Sequence, residues 1–280
     1  MQETIKHLDD LVEIMNLAAT EVHQKKGSEF GTVKIVLLDL MKRIQSNLYG
    51  IKLLMNELSN DRYLILPISL LTRTCLSDAL TGFYLLTFSH HKESFENELN
   101  VMGLDFIGYS EKLANLEPYF SGQDLSDDEF RNIINAKLES IASSYPKLVV
   151  RVENFKLIKR KPKEIRESSR KELFLDEGSM SKPLTDNGKF EYLFSNSYVG
   201  LKNLSYMYPL FRFYSQFHHY TSETRKLADL PIEKHLPYIS LSLVLITQVL
   251  KSIAVTIELP EKISKALDEK IIEINIDAFM

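Results

Sequence analysis

The chain has 280 residues, with ten glycines, nine prolines, one cysteine, no tryptophan and a hydrophobic share of 44%. Sandwiches and propellers need a turn residue roughly every 8–12 positions, so the breakers are too few for them, and a disulfide scaffold is excluded by having Cys75 alone. The apolar share excludes wholesale disorder, and a formal net charge of −4 does not favour bulk attraction to nucleic acid or to a membrane surface.

What remains is a long-helix protein, and hydrophobic periodicity places its helices in chain order. Ile5, Leu8, Val12, Met15, Ala19 and Val22 step by threes and fours and form one helical stripe, broken at Gly27 and Gly31. Leu37, Met41, Ile44, Leu48, Ile51, Met55 and Leu58 follow in heptad steps, the pattern of a helix packed lengthwise on a neighbour. Ser59-Asn60-Asp61 supplies a stop and a new N-cap. A third helix runs to about His90 with Ile68, Leu71, Cys75, Ala79, Phe83 and Leu86 on one stripe, and Pro67 marks its first turn or kinks it. A fourth covers about Phe95 to Asn115. Ser126-Asp127-Asp128-Glu129 is a capping-box pattern that opens a fifth, and Tyr145-Pro146 ends it.

Composition breaks at Lys147. Ten basic residues fall between Lys147 and Lys171, and Gly, Ser, Pro and Asp crowd 176–188. The stretch 147–189 reads as an excursion of open order, either a solvated surface loop or a basic arm for RNA or an acidic partner. Helical pattern resumes over about 190–220, which holds six of the thirteen tyrosines and is interrupted at Pro209. Ile232, Leu236, Ile239, Leu243, Ile246, Leu250, Ile253 and Ile257 then give the cleanest stripe, ended by Pro260, and a short amphipathic tail of about Glu261 to Ile274 closes the chain.

The expectation is a single all-α domain: a long-helix up-and-down bundle with core helices at about 33–58, 61–90, 190–220 and 232–258. An additional N-terminal helix precedes them, and 93–189 is inserted between the second and third. The N-terminal MQETIKHLDD carries acids where a signal peptide needs bare positive charge. Leu236 to Leu250 is too short and too polar for a membrane span and reads as a buried helix. The expected compartment is the cytoplasm, where Cys75 stays reduced.

No Gly-rich phosphate loop, zinc-spaced Cys/His cluster, His-Glu-x-x-His or Gly-x-Ser-x-Gly motif occurs, so no metal or cofactor is expected. The informative piece is the run Phe211 to Ser222. On a helix, Arg212 and His219 point within about 20° of each other, and Ser215 lies between them on the same face. Arg73, Ser77 and Asp78 on the third helix offer partners for a polar face inside a helical core. These groups are either a satisfied network that fixes register or a polar pocket. In a pocket, Arg212 would hold a phosphate or carboxylate and His219 would transfer a proton. The aromatics of 190–220 read as core, with a small-ligand pocket as the alternative. His90-His91 complements a helix C-terminus.

Arg212 followed by His218 or His219, late in an all-α chain, resembles the Arg-x4-6-His motif of the HEPN superfamily. The Ser215-x3-His219-x-Thr221 setting, with Arg73 and Asp78 on an earlier helix, is similar to a bacterial branch of HEPN-like helical proteins. The resemblance covers the four-helix core. It implies a helical bundle, often a homodimer, whose active members are metal-independent ribonucleases of toxin–antitoxin and phage-defence systems, while other members only bind. It implies RNA as partner, with Arg212 and His219 (His218 as the alternative) as catalytic residues. The competing expectation is a non-catalytic scaffold whose Arg/Ser/His face is structural. Protein partners would then use the heptad faces or the basic stretch 147–171.

Overall fold

A computed structural model describes residues 1–24, 31–120, 125–174, 177–182, 185–196, 204–219 and 221–279. The described helices are α1 (Gln2–Gln24), α2 (Thr32–Glu57), α3 (Ile65–Leu86), α4 (Lys92–Ala114), α5 (Asp127–Ser144), α6 (Pro162–Ile165), α7 (Glu177–Ser181), α8 (Asp186–Asn196), α9 (Leu204–Ser215), α10 (Ser222–Ala228), α11 (Leu236–Thr256) and α12 (Glu261–Phe279). One hairpin of β1 (Val149–Glu153) and β2 (Lys156–Lys159) is the sole sheet among the described residues, so the fold is all-α. The sequence reading treats the chain as one domain. By its internal contacts it forms two compact units, residues 1–89 with 189–280, and residues 90–188.

In the first unit α11 is central. It touches α1, α2, α3, α9 and α12, while α1, α2, α3 and α12 pack around it. A helix surrounded in this way must be apolar on nearly every side, and twelve of its residues are buried, from Ile239 to Ala254. That position accounts for its composition: Arg62–Leu86 and Ile232–Thr256 are long and apolar enough to cross a membrane, yet most of the most apolar window of each is buried in the fold. The heptad stripe of α2 is buried along its whole length, Leu37 to Met55. It is covered by the neighbouring helices of the same unit, so this heptad face is spent on the chain's own packing.

Close helix approach is enforced at Gly82 on α3. A Cβ there would lie 2.8 Å from Val249 Cγ2 and 3.0 Å from Leu40 Cδ2, so only hydrogen lets α2, α3 and α11 meet at this point. Pro67 falls in the first turn of α3, where a missing N–H is harmless. The helix ends at Leu86, short of the His90 expected, and His91 becomes the N-cap of α4.

Three other boundaries differ from the sequence reading. The expected continuous helix over 190–220 is two helices, α8 and α9, with 197–203 and Tyr220 outside the described residues, as is the break at Gly27. Pro209 sits inside α9 and deprives the Ser205 carbonyl of its helical donor, at a residue that is exposed. The expected short tail is the 19-residue α12, which packs on both α11 and α1. It turns back from α11 through Glu258, a non-glycine residue at φ 59°. There Glu258 N–H bonds the Val255 carbonyl at 3.1 Å and Leu259 N–H bonds Ala254 at 2.9 Å, a Schellman closure ahead of Pro260. Between α1 and α12, Lys270 Nζ bonds Asp10 at 2.6 Å and also Glu273, while His7 Nε2 pairs with Asp277 at 2.7 Å.

The second unit is built on α4, α5 and the hairpin. Val101, Ile107, Ile134, Leu138, Leu148 and Leu157 share its core. The capping box opening α5 forms as read: Ser126 Oγ accepts from Glu129 N–H, and the Glu129 carboxylate returns to Ser126 N–H at 2.9 Å, which holds that carboxyl below its usual range. The basic stretch beginning at Lys147, read in the sequence as an excursion in the form of a surface loop or a basic arm, opens with the antiparallel hairpin, with Val152 opposite Leu157 and Glu153 opposite Lys156. Beyond it, Arg166 is 1% exposed and forms a two-pronged pair with the fully buried Glu98, at 2.6 and 2.8 Å. The guanidinium also donates to the carbonyls of Ser179, Met180 and Lys182 and lies over the Phe174 ring. One buried cation thus fastens α7 to α4.

Candidate functional site

The residues singled out in the sequence lie around α9. Met207, Leu210, Phe211 and Tyr214 bury its inner face. Phe213 is half-buried and stacks on Tyr238, ring centroids 4.8 Å apart. Arg212 is left on the outer face and is exposed. The α-helix stops at Ser215, and a 3-10 turn of Gln216–His218 follows. His219 is extended, at φ −110° and ψ 128°.

What ends the helix is a tertiary hydroxyl. Thr224 is buried, and its Oγ1 lies 2.9 Å from the Gln216 carbonyl and 2.5 Å from that of His219. Thr221 caps α10 by accepting from Thr224 N–H at 3.1 Å, which fixes Thr224 in place. The shared helical face expected for Arg212, Ser215 and His219 therefore does not form, because His219 lies beyond the helix. His218 and His219 are both exposed, with ring centroids 5.6 Å apart. Among the described residues neither imidazole, nor the Arg212 guanidinium, has a hydrogen bond or ion pair to a side chain.

The expected supporting network divides in two. Arg73 on α3 donates from Nε to Ser215 Oγ at 3.0 Å and places its guanidinium 5.0 Å from the Phe211 ring. Ser215 Oγ in turn donates to the Phe211 carbonyl at 2.7 Å. Asp78 lies five residues further along α3, on another side of the helix, and faces α2. There Arg43 holds it in two bonds of 3.2 and 2.5 Å. Asp78 is buried while Arg43 is mostly exposed, so the pair sits at the edge of the core. Ser77 is half-buried on the same helix. Arg43 is the member that sequence reasoning missed. An acid inside an apolar helix signals a cation nearby, but α2 supplies several and nothing in their spacing singles out Arg43.

The remaining reactive types are accounted for by burial. Cys75 is 0% exposed, and burial among apolar groups, with the Asp78 charge nearby, pushes its thiol well above the usual range. His235 is buried against Phe217, and loss of hydration holds its pKa below the ordinary value despite a bond to the Leu227 backbone. His7, Asp10 and Glu273 bring ligand-type atoms within 4.8 Å of one another. Lys270 already places its ammonium between the two acids, so the chain supplies the cation itself. What the α9 region offers chemically is one guanidinium and two imidazoles, all open to solvent, beside the buried inner face of α9. Comparison with protein-family models, with curated proteins and with solved structures gives no match to this chain.

Proposed function

We propose that the chain is a HEPN-like, metal-independent ribonuclease of the cytoplasm, with Arg212 and one of His218 and His219 as its catalytic residues. The observation that carries this reading is the contrast within one region. Arg73, Ser215 and Asp78 all have protein partners, whereas Arg212, His218 and His219 are exposed and unpartnered among the described residues. A scaffold that used this face for register would engage Arg212 with an acid, and Asp78, the acid the sequence offered, is held by Arg43 instead.

The chemistry is phosphodiester transesterification. One imidazole takes the proton of the ribose 2′-hydroxyl, the 2′-oxygen attacks phosphorus, and the 5′-oxygen leaves with a proton from an imidazolium. Arg212 bonds the non-bridging oxygens, whose charge grows in the transition state. On an open surface this arrangement gains enclosure from a second copy, so the reading includes a homodimer that brings two Arg/His sets together.

The test is cleavage of varied RNAs by purified protein in chelator, set beside Arg212→Ala, His218→Ala and His219→Ala. Cleavage that survives chelation and is lost with Arg212 and with one histidine supports the reading. Wild type as inert as the variants ends it and leaves the scaffold.

A further inference from the structure

The hairpin of the second unit carries features that packing does not require. Its two-residue turn is Asn154-Phe155, at φ 49° and 60°. Asn adopts this left-handed conformation readily, but the second position of such a turn is normally glycine, and an aromatic residue there is strained. Phe155 is no part of the second unit's core. It is 37% exposed and makes no ring or cation contact among the described residues. Strain retained at an exposed tip points to a use for the side chain outside the fold.

The flanks are strongly cationic. Between Lys147 and Lys163 there are seven basic side chains against Glu153 alone, in a chain whose net charge is −4. Val152 and Leu157 turn to the core, so the opposite face presents Arg151, Glu153, Lys156 and Ile158 around the tip. Three of the cations are answered by acids, Arg151 by Glu153 at 2.7 Å, Lys159 by Glu111 at 3.6 Å and Lys163 by Glu177 at 3.8 Å. Lys147, Lys156, Arg160 and Lys161 are exposed and form no ion pair among the described residues. An exposed aromatic ring amid unpaired cations on a two-stranded ribbon is the combination that grips a flexible polyanion bearing flat rings. An acidic protein would use the charge but would not need the strained phenylalanine, whereas an anionic bilayer would take up both, so vesicles belong in the test.

We propose that this hairpin binds single-stranded nucleic acid, with Phe155 stacked on a base and Lys156, Arg160 and Lys161 against the flanking phosphates. The proposal is independent of the catalytic reading, because it places contact in a different unit from Arg212.

The test is fluorescence anisotropy of labelled oligouridylate and oligothymidylate with the full chain, at low and raised salt. Wild type is expected to bind at least one of them, more weakly as salt rises. Phe155→Gly weakens binding roughly tenfold or more without lowering Tm, since glycine is at ease at this φ. Phe155→Tyr binds as wild type does. Lys156→Glu with Arg160→Glu removes binding, and Lys265→Glu, an exposed charge reversal on α12, leaves it within about twofold of wild type. The proposal is overturned if wild type binds neither oligomer, if Phe155→Gly binds as well as wild type, or if a polyglutamate chain or phosphatidylserine vesicles bind more tightly than the nucleic acids. Binding that persists in a protein without nuclease activity removes the catalytic reading alone.

Discussion

Arg73 Nε donates to Ser215 Oγ at 3.0 Å, and the same guanidinium lies 5.0 Å from the Phe211 ring, so one side chain of α3 fixes the last turn of α9. Arg212, on the same turn, has no such engagement. Arg73→Ala is therefore expected to lower stability by about 1–2 kcal/mol, from one hydrogen bond and one cation–ring contact. Arg212→Ala should stay within about 0.5 kcal/mol of wild type, as exposed substitutions do. Urea unfolding of the two variants checks this, and a large loss at Arg212 with none at Arg73 would return Arg212 to a structural role.

Glu98 and Arg166 form the most deeply buried ion pair among the described residues. Glu98→Ala takes the carboxylate from a guanidinium buried in the interior, which costs about 3–5 kcal/mol. Because Arg166 also holds the carbonyls of Ser179, Met180 and Lys182, the loss should appear first as cleavage after Glu177 by a glutamyl endopeptidase, under conditions where wild type resists. Equal resistance would show that the pair does not secure α7.

His235 gives the stability a pH dependence of defined sign. Burial holds its folded pKa below that of the unfolded chain, so the unfolded state takes up the proton more readily. The contribution is complete above the ordinary histidine value of about 6.5 and is lost as pH falls through it. Tm should drop between pH 7.5 and 5.5, and His235→Gln should flatten that part of the profile. A Gln variant with the wild-type slope would assign the dependence to other groups.

Local patterns carried the fold far. The stripes of α2 and α11 and the capping box at Ser126 are set by neighbours in sequence, and the structure places them where periodicity does. What was illegible depends on distant partners. Nothing within Phe211 to His219 announces a helix end, because the signal is the hydroxyl of Thr224, which captures two carbonyls from a following helix. Asp78 pairs with Arg43, 35 residues earlier, where several cations compete. The hairpin escaped because its turn lacks glycine and its strands read first as charge. The β-branched run Val149, Val150, Val152 was the available signal, bracketed by Pro146 and Pro162.

The sealed thiol of Cys75 makes the native surface silent toward maleimides and other thiol reagents. A single cysteine introduced at Arg212 or at Phe155 would then be the one reactive handle on the molecule. Spin labels attached there would report, without any background to subtract, whether two copies bring their α9 ends together and how the hairpin tip responds to an oligonucleotide.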